Sequence, residues 1–309
     1  ARRRRAHASL TRARARLPPP SPHGRAQVWF PDSAYKTAQA IRDFNRGERL
    51  PLLVLANWRG FSGGRKDMFE EVLKFGSYIV EHLTEYEQPV IVYVPPHCEV
   101  RGGAWVVIDT QINPRQMEMY ADPTARGGVL EPAGIAEIKF RKPELVKAMH
   151  RLDPQLAWMK MNAAPAVVTK EDVSAHEAEL MGAYAPLGEA FADLHDRPER
   201  MLAKGVIRKV VAWKEARRTF YWRLKRRLAE LPLQRRVHAR APELPPRDVA
   251  ELLARALQLR AGLAAGDADD DRAVCACLDA LHGGVPAALH VALDELSLIH
   301  ISEPTRRTP

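Results

Sequence analysis

Two short glycine clusters hold the residues best placed to do chemistry. "NWRGFSGG" (57–64) follows the apolar run "PLLVLA" and precedes the amphipathic stretch "DMFEEVLKFGSYIVEHLTEY". "RGG" (101–103) comes shortly after a second apolar run, "PVIVYV" (89–94). Glycine lets a ligand approach the backbone closely and lets successive N–H groups point into one spot. If the two apolar runs are parallel neighbouring strands, both loops lie at their C-terminal ends. N–H groups from Gly63 or Gly64 and from Gly102 or Gly103 can then converge. Two such donors form an oxyanion hole, which stabilises negative charge developing on a carbonyl oxygen. Each loop also carries an arginine, Arg59 and Arg101.

Other chemistries fit these loops badly. A nucleotide P-loop needs glycine, lysine and a hydroxyl residue where this chain has Arg65, Lys66 and Asp67, so only the lysine agrees. Ser62 lacks the G-x-S-x-G spacing of a hydrolase elbow. His82, His97, His150 and His195 are scattered, and His195 in "ADLHD" reads as a satisfied structural group. No Glu or Asp sits directly in either glycine loop. An oxyanion hole without a side-chain base calls for another participant to remove the proton. Three cysteines (Cys98, Cys275, Cys277) supply neither a disulfide framework nor a four-cysteine zinc site, and no metal is expected.

Elements must position these loops. Residues 31–46 read as a helix capped by Asp32 or Ser33 and stopped by Gly47. Residues 50–56 read as a strand covered on both faces, followed after the loop by a helix with Phe69, Val72, Gly76, Ile79 and Leu83 on one side. Residues 89–94 make a second buried strand and "AWVVID" (104–109) a third. The strand–helix–strand order makes the first two strands parallel, with a right-handed crossover. "EIKFRK" (137–142) alternates as a half-buried strand. "PELVKAMHRLDPQLAWMKM", residues 175–196 and the basic stretch 212–231 read as helices. The arginines and lysines of the last read as a solvated face, with a dimer contact as the alternative. "LPLQRRVHARAPELPP" reads as a linker before a small helical appendix.

The formal charge of +9 over 309 residues suggests nucleic-acid binding until its distribution is considered. Residues 1–25 hold eight arginines and no acid; without them the charge is +1. The body therefore lacks a basic footprint, and nucleic acid is not an expected partner, the leader being the only place where it could bind. That leader has no apolar core, so it is not a secretory signal; it resembles a transit peptide superficially and reads as disordered. No apolar run reaches the roughly 20 residues of a membrane span. A reducing cytoplasmic setting fits best, with a plastid as the alternative. The tail 297–309 breaks compositional character and reads as foreign to the domain.

Longer motifs then occur in order: "LANWRGFSGGRKDMFEEVLKFGSYIVEHL", "QPVIVYVPPHCEVRGGAWVVIDTQINPRQMEMYAD", "ARGGVLEPAGIAEIKFRK", "FADLHDRPERMLAKGVI" and "EARRTFYWRLKRRL". Across about residues 26–231 the chain resembles the C-terminal half of the carboxyltransferase domain of eukaryotic-type multidomain acetyl-CoA carboxylase. The resemblance implies a crotonase-like (ClpP/crotonase) α/β fold, a superhelix of ββα units, here with a C-terminal helical extension at 232–296. It implies carboxyl transfer from carboxybiotin to acetyl-CoA, giving malonyl-CoA, with biotin itself taking the acetyl proton. Arg59 would orient a carboxyl or carbonyl group, and Gly63 and Gly102 would be the leading donors, with Gly64 and Gly103 beside them. The backbone N–H of Glu131 would hold the biotin end, and Lys139 and Arg141 would meet CoA phosphates. On a strand, period two would put those two cations on one face.

The resemblance also implies partners this chain does not contain: the N-terminal half of the carboxyltransferase domain, a biotin carrier domain and a second subunit in a homodimer. "MKM" (159–161) lies in a helical pattern and reads as chance, not as a biotinylation site. Alone, the chain is expected to bind CoA weakly and turn over nothing. Three alternatives remain: transfer to another acyl-CoA such as propionyl-CoA, a crotonase-type hydratase, isomerase or thioesterase with a side-chain base, and an inactive structural or dimerisation fragment.

Overall fold

The computed structural model describes residues 27–162, 167–261, 263–264, 267 and 269–281. The Arg-rich leader and the tail 297–309 lie outside them. The chain begins with β1 (Val28–Trp29) and α1 (Pro31–Asp43), which runs on as a π-helical turn, Phe44–Glu48. The expected cap moves upstream. Phe30 is the N-cap, and Ser33 Oγ, one turn in, accepts its N–H at 2.9 Å. Gly47 is not the stop; Arg49 ends the turn in the left-handed region at φ 54°.

Next come β2 (Leu52–Leu55), β3 (Gly60–Phe61), α2 (Arg65–Phe69), α3 (Val72–Thr84), β4 (Val90–Val94), β5 (Glu99–Arg101) and α4 (Gly102–Ile108). Then follow β6 (Met117–Ala121), β7 (Arg126–Gly128), α5 (Pro132–Lys139), α6 (Lys142–Leu152), α7 (Pro154–Met161), α8 (Lys170–His195) and α9 (Pro198–Ala203). The chain closes with β8 (Lys209–Val210), α10 (Trp213–Arg240), α11 (Pro246–Ala261) and α12 (Asp271–Leu281). One sheet has the order β2-β4-β6-β8, parallel throughout, and β1–β3 and β5–β7 form two small parallel pairs. The class is α/β, as expected, with a helical extension, and the first two apolar runs are parallel neighbours.

β4 is the axis of the core. Val90, Val92 and Val94 face a cluster with Ala34, Ala38, Ile79 and Leu83 from α1 and α3. Ile91 and Tyr93 face the other way, onto Phe220 and Ala216 of α10. Period two makes one strand serve both layers. β2 differs from its expected two-sided burial. Leu52 and Val54 pack inward, but Leu53 and Leu55 are 44% and 51% exposed, because no described element covers that face. A third cluster, with Leu233, Leu252, Leu253, Leu257 and Val274, joins α10, α11 and α12.

Several sequence expectations fail for identifiable reasons. "AWVVID" is helix, not strand: Ala104, Val107 and Ile108 are buried at helical spacing on α4. A short apolar run cannot by itself separate the two periods. "EIKFRK" is the end of α5 and the start of α6, with Pro132 and Pro143 in the respective first turns. Lys139 therefore ends one helix and Arg141 caps the next, so no strand face aligns them. The helix expected over 143–161 breaks at Asp153, whose carboxylate accepts the Leu156 N–H at 2.8 Å and starts α7. The expected linker after 231 continues α10 through Pro232 to Arg240. Its basic residues divide: Lys214, Arg217 and Arg218 are exposed, as a solvated face requires, while others turn inward. Arg223 and Arg226 are buried, bound to Glu118, Glu230 and Asp271.

Candidate functional site

The two glycine-bearing loops interlock as parallel backbone. Trp58 N–H donates to Glu99 O and Arg101 N–H to Trp58 O, both at 2.9 Å, making a bridge between Trp58 and Val100. This juxtaposition follows from β2 and β4 running side by side and ending level, Leu55 opposite Tyr93. Gly60, at φ 131°, lies so close to the second loop that a Cβ there would stand 3.5 Å from Gly103 N. Phe61 then fills the gap between Gly76 and Gly103; a Cβ at either glycine would meet its ring at 2.6 or 3.0 Å.

The four glycines expected as donors are not equivalent. Gly102 adopts φ 48° and spends its N–H on Val129 O at 3.0 Å, so its amide is tied into the fold. Gly103 follows it in the first turn of α4, where an N–H has no intrahelical acceptor. Gly63 has open space on its Cβ side. Gly64 is the N-cap of α2, and its N–H stands 3.4 Å from Ser62 Oγ. Ser62 in turn donates to Asp67, which occupies the helix start that a P-loop would leave for phosphate.

Carboxylates hold both arginines. Arg59 pairs with Glu99 and, at 3.0 Å, with Glu131, and its side chain remains 45% exposed. Arg101 is 3% exposed and donates to Glu99 at 2.9 Å, to Leu130 O at 3.0 Å and to Asp196. Burial disfavours the Arg101 cation, but Asp196 and Glu99 outweigh it and hold its pKa above the ordinary value. Glu131 is the N-cap residue of α5, and its carboxylate ties that helix to Arg59 of the first loop. Lys139 and Arg141 are exposed at the α5–α6 junction, and no described contact joins them to the glycine loops. His195 Nδ1 bonds Phe191 O at 2.9 Å, within its own helix.

Glu99 and Asp196 were missing from the residues singled out by sequence. Asp196 lies 95 residues from Arg101, and nothing local marks their pairing. The chemical capacity of the site is now defined. It offers main-chain N–H groups beside a half-exposed guanidinium, on a base fixed by buried ion pairs. Arg59 engages Glu99 and Glu131, while Asp67 accepts from Ser62 in the first loop and Asp196 from Arg101 in the second. Among the described residues no group of three or more His, Cys, Asp or Glu could hold a metal ion, and no helix is long and apolar enough to cross a membrane.

Comparison with known proteins adds sequence likeness over this region. The profile of the carboxyl transferase domain matches residues 17–228. The chain is 59% identical over 214 residues to acetyl-CoA carboxylase of Dictyostelium discoideum, covering 66% of this chain and 9% of that protein. It is 50% identical over 256 residues to acetyl-CoA carboxylase of Schizosaccharomyces pombe, covering 81% of this chain and 11% of the relative. The chain thus spans about a tenth of the length of the curated relatives it matches. Among solved structures, transcarboxylase 12S aligns at TM-score 0.43 and 20% identity, over 62% of this chain and 31% of that one. The geranyl-CoA carboxylase β subunit of P. aeruginosa aligns at 0.44 and 19%, over 64% and 32%.

Proposed function

This chain belongs to the carboxyl transferase domain family, and from that membership we propose that it is the C-terminal half of the carboxyltransferase of a biotin-dependent acetyl-CoA carboxylase. The reaction is carboxyl transfer to acetyl-CoA, giving malonyl-CoA. Carboxybiotin, carried on a domain outside this chain, supplies the carboxyl group and the base for the acetyl proton. The residues present fit such a visitor, since Glu99 and Glu131 are held by Arg59, and among the described residues no backbone bond between elements uses the N–H of Gly63 or Gly103.

The acceptor must become an enolate whose charge rests on the thioester oxygen, so N–H donors have to be aimed at it beforehand. Gly103, with Gly63 or Gly64, would meet that oxygen; Gly102 would act one step back, fixing the turn that presents Gly103. Arg59 would orient the transferred carboxyl group from the loop's rim. The Glu131 N–H would steady the biotin end, and Lys139 and Arg141 would meet CoA phosphates as exposed cations.

The observation that carries this reading is the Trp58–Val100 bridge, which sets the two glycine loops side by side beside a half-exposed arginine. An N-terminal half as partner is supported by the outer edge of β2 and its uncovered Leu53 and Leu55, and by Phe69 at 88% and Val129 at 73% exposure. A carrier domain and a homodimer complete the proposed assembly, and free Cys98, Cys275 and Cys277 suit a reducing, cytoplasmic location. The test is Arg59→Ala in the complete enzyme that contains this chain. Malonyl-CoA formation should fall by about a hundredfold or more, as when a transition-state contact is removed, while carboxylation of biotin is unchanged. Near-normal transfer would remove Arg59 from the site. Running acetyl-CoA against propionyl-CoA as acceptor in the same assay distinguishes the two acyl specificities.

A further inference from the structure

A cavity of about 700 Å³ lies between the sheet and the helices α10 and α11, and none of the glycine-loop residues lines it. That size falls within the range of small-molecule sites. Met117 and Met119 of β6, with Ile207, Leu231, Leu244 and Val249, give it apolar walls. Six arginines line it, Arg115, Arg208, Arg223, Arg226, Arg227 and Arg235, together with His238. Only four carboxylates do so: Glu118, Glu230, Glu251 and Asp269. Asp271 adds a fifth from behind, through Arg223 and Arg226.

The ion pairs consume these carboxylates unevenly. Arg223 holds Glu118 and Asp271, and Arg226 holds Glu230 and Asp271. Arg235 turns to Glu87, while the one ion pair of Arg208 among the described residues is with Asp269 at 3.9 Å. Arg227 comes off worst. Its Nη2 donates to Arg115 O and, at 3.4 Å, to Gln116 Oε1; its Nη1 is 3.8 Å from a Glu118 already taken by Arg223. Its Nε is the sole buried side-chain nitrogen or oxygen among the described residues without a hydrogen-bond partner. A buried donor left unpaired is costly, and more so on a charged group. Arg115, exposed at the rim, has no carboxylate within ion-pair distance among the described residues. Burial first, and then the Arg115 charge, lower the pKa of His238 on the same wall, against a smaller opposite pull from Glu243.

We infer that this cavity binds a small organic anion, a carboxylate or phosphate carried on an apolar body, with Arg227 and Arg115 as its principal cationic contacts. Guanidinium groups present paired N–H donors that match both anions, and the apolar walls would take the remainder. Such a ligand would fasten α10 and α11 to β6, because its contacts come from all three. This is independent of the carboxyl-transfer reading and involves none of its residues.

The experiment uses the 309-residue chain with two probes, hexyl phosphate and adipate, at constant ionic strength against a chloride control. At least one should bind saturably by calorimetry and slow hydrogen exchange in α11. Adipate alone identifies a carboxylate site and hexyl phosphate alone a phosphate site. Arg227→Met should weaken binding by about tenfold or more, the loss of a charged hydrogen bond. If that variant does not fold, the exposed pair Arg115→Gln and Arg208→Gln, made together, should give the same loss with unchanged circular dichroism. Absence of saturable binding of either probe up to about 10 mM, weaker than any useful site, would overturn the assignment. So would binding that neither variant alters.

Discussion

Arg101 and Asp196 form the pair on which the second glycine loop rests. Both side chains are almost wholly buried, at 4% and 5% exposure, and Arg101 also holds Glu99 and Leu130 O. A buried pair is worth little against an apolar substitute, but removing one partner leaves a buried charge uncompensated. Asp196→Ala should therefore cost about 3–5 kcal/mol in urea denaturation. It should also loosen Arg59, because Glu99 bridges the two arginines. The glycines and Arg59 are visible in sequence because their types announce a backbone task and a charge. Glu99 and Asp196 are ordinary acids until the fold brings them to a buried cation.

Among the elements, α10 does most to hold the layers together. It starts where Asp122, at the end of β6, accepts the Trp213 N–H at 2.9 Å, an N-cap supplied from another element. Asp122 also accepts from Thr124 N–H and Oγ1 at 2.9 and 2.7 Å. Burial pushes the Asp122 pKa up, but these bonds outweigh it and keep the pKa below the usual value. Asp122→Ala should destabilise the protein by about 1–2 kcal/mol, the cost of a lost cap, with exchange rising first at the start of α10. The buried apolar run of β4 and the amphipathic α3 were legible because each keeps one period over several residues. α4 and α5 were misread because runs of six residues fit either period, and prolines and neighbours settled them.

At the scale of the whole molecule, Glu118 joins the sheet to α10 through Arg223 and, less closely, Arg227. Burial pushes its carboxyl up, yet the Arg223 hydrogen bonds and charge win and hold it at about 2, below the ordinary 4.5. A folded pKa below the unfolded one adds stability that is fully present above about pH 4.5 and lost as the pH falls toward 2. The shift corresponds to about 3 kcal/mol. Glu118→Gln should lose a similar amount at neutral pH and show a flatter acid limb in denaturation midpoints measured from pH 6 to about 2.5.

The sequence by itself determined what is local or repetitive: the parallel strand pair, the glycine turns after each strand, the near-neutral body and the long motifs that mark the family. Period, backbone freedom and charge count are properties of a segment and survive without neighbours. Tertiary structure decided that the Gly102 amide is tied into the fold, since that depends on where Val129 O falls. It also turned Arg223 and Arg226 of α10 inward, because Glu118 and Asp271 compensate them in places no spacing rule can locate. Pairings across 95 or 105 residues are fixed by the packing of elements, and only the assembled core sets their distances.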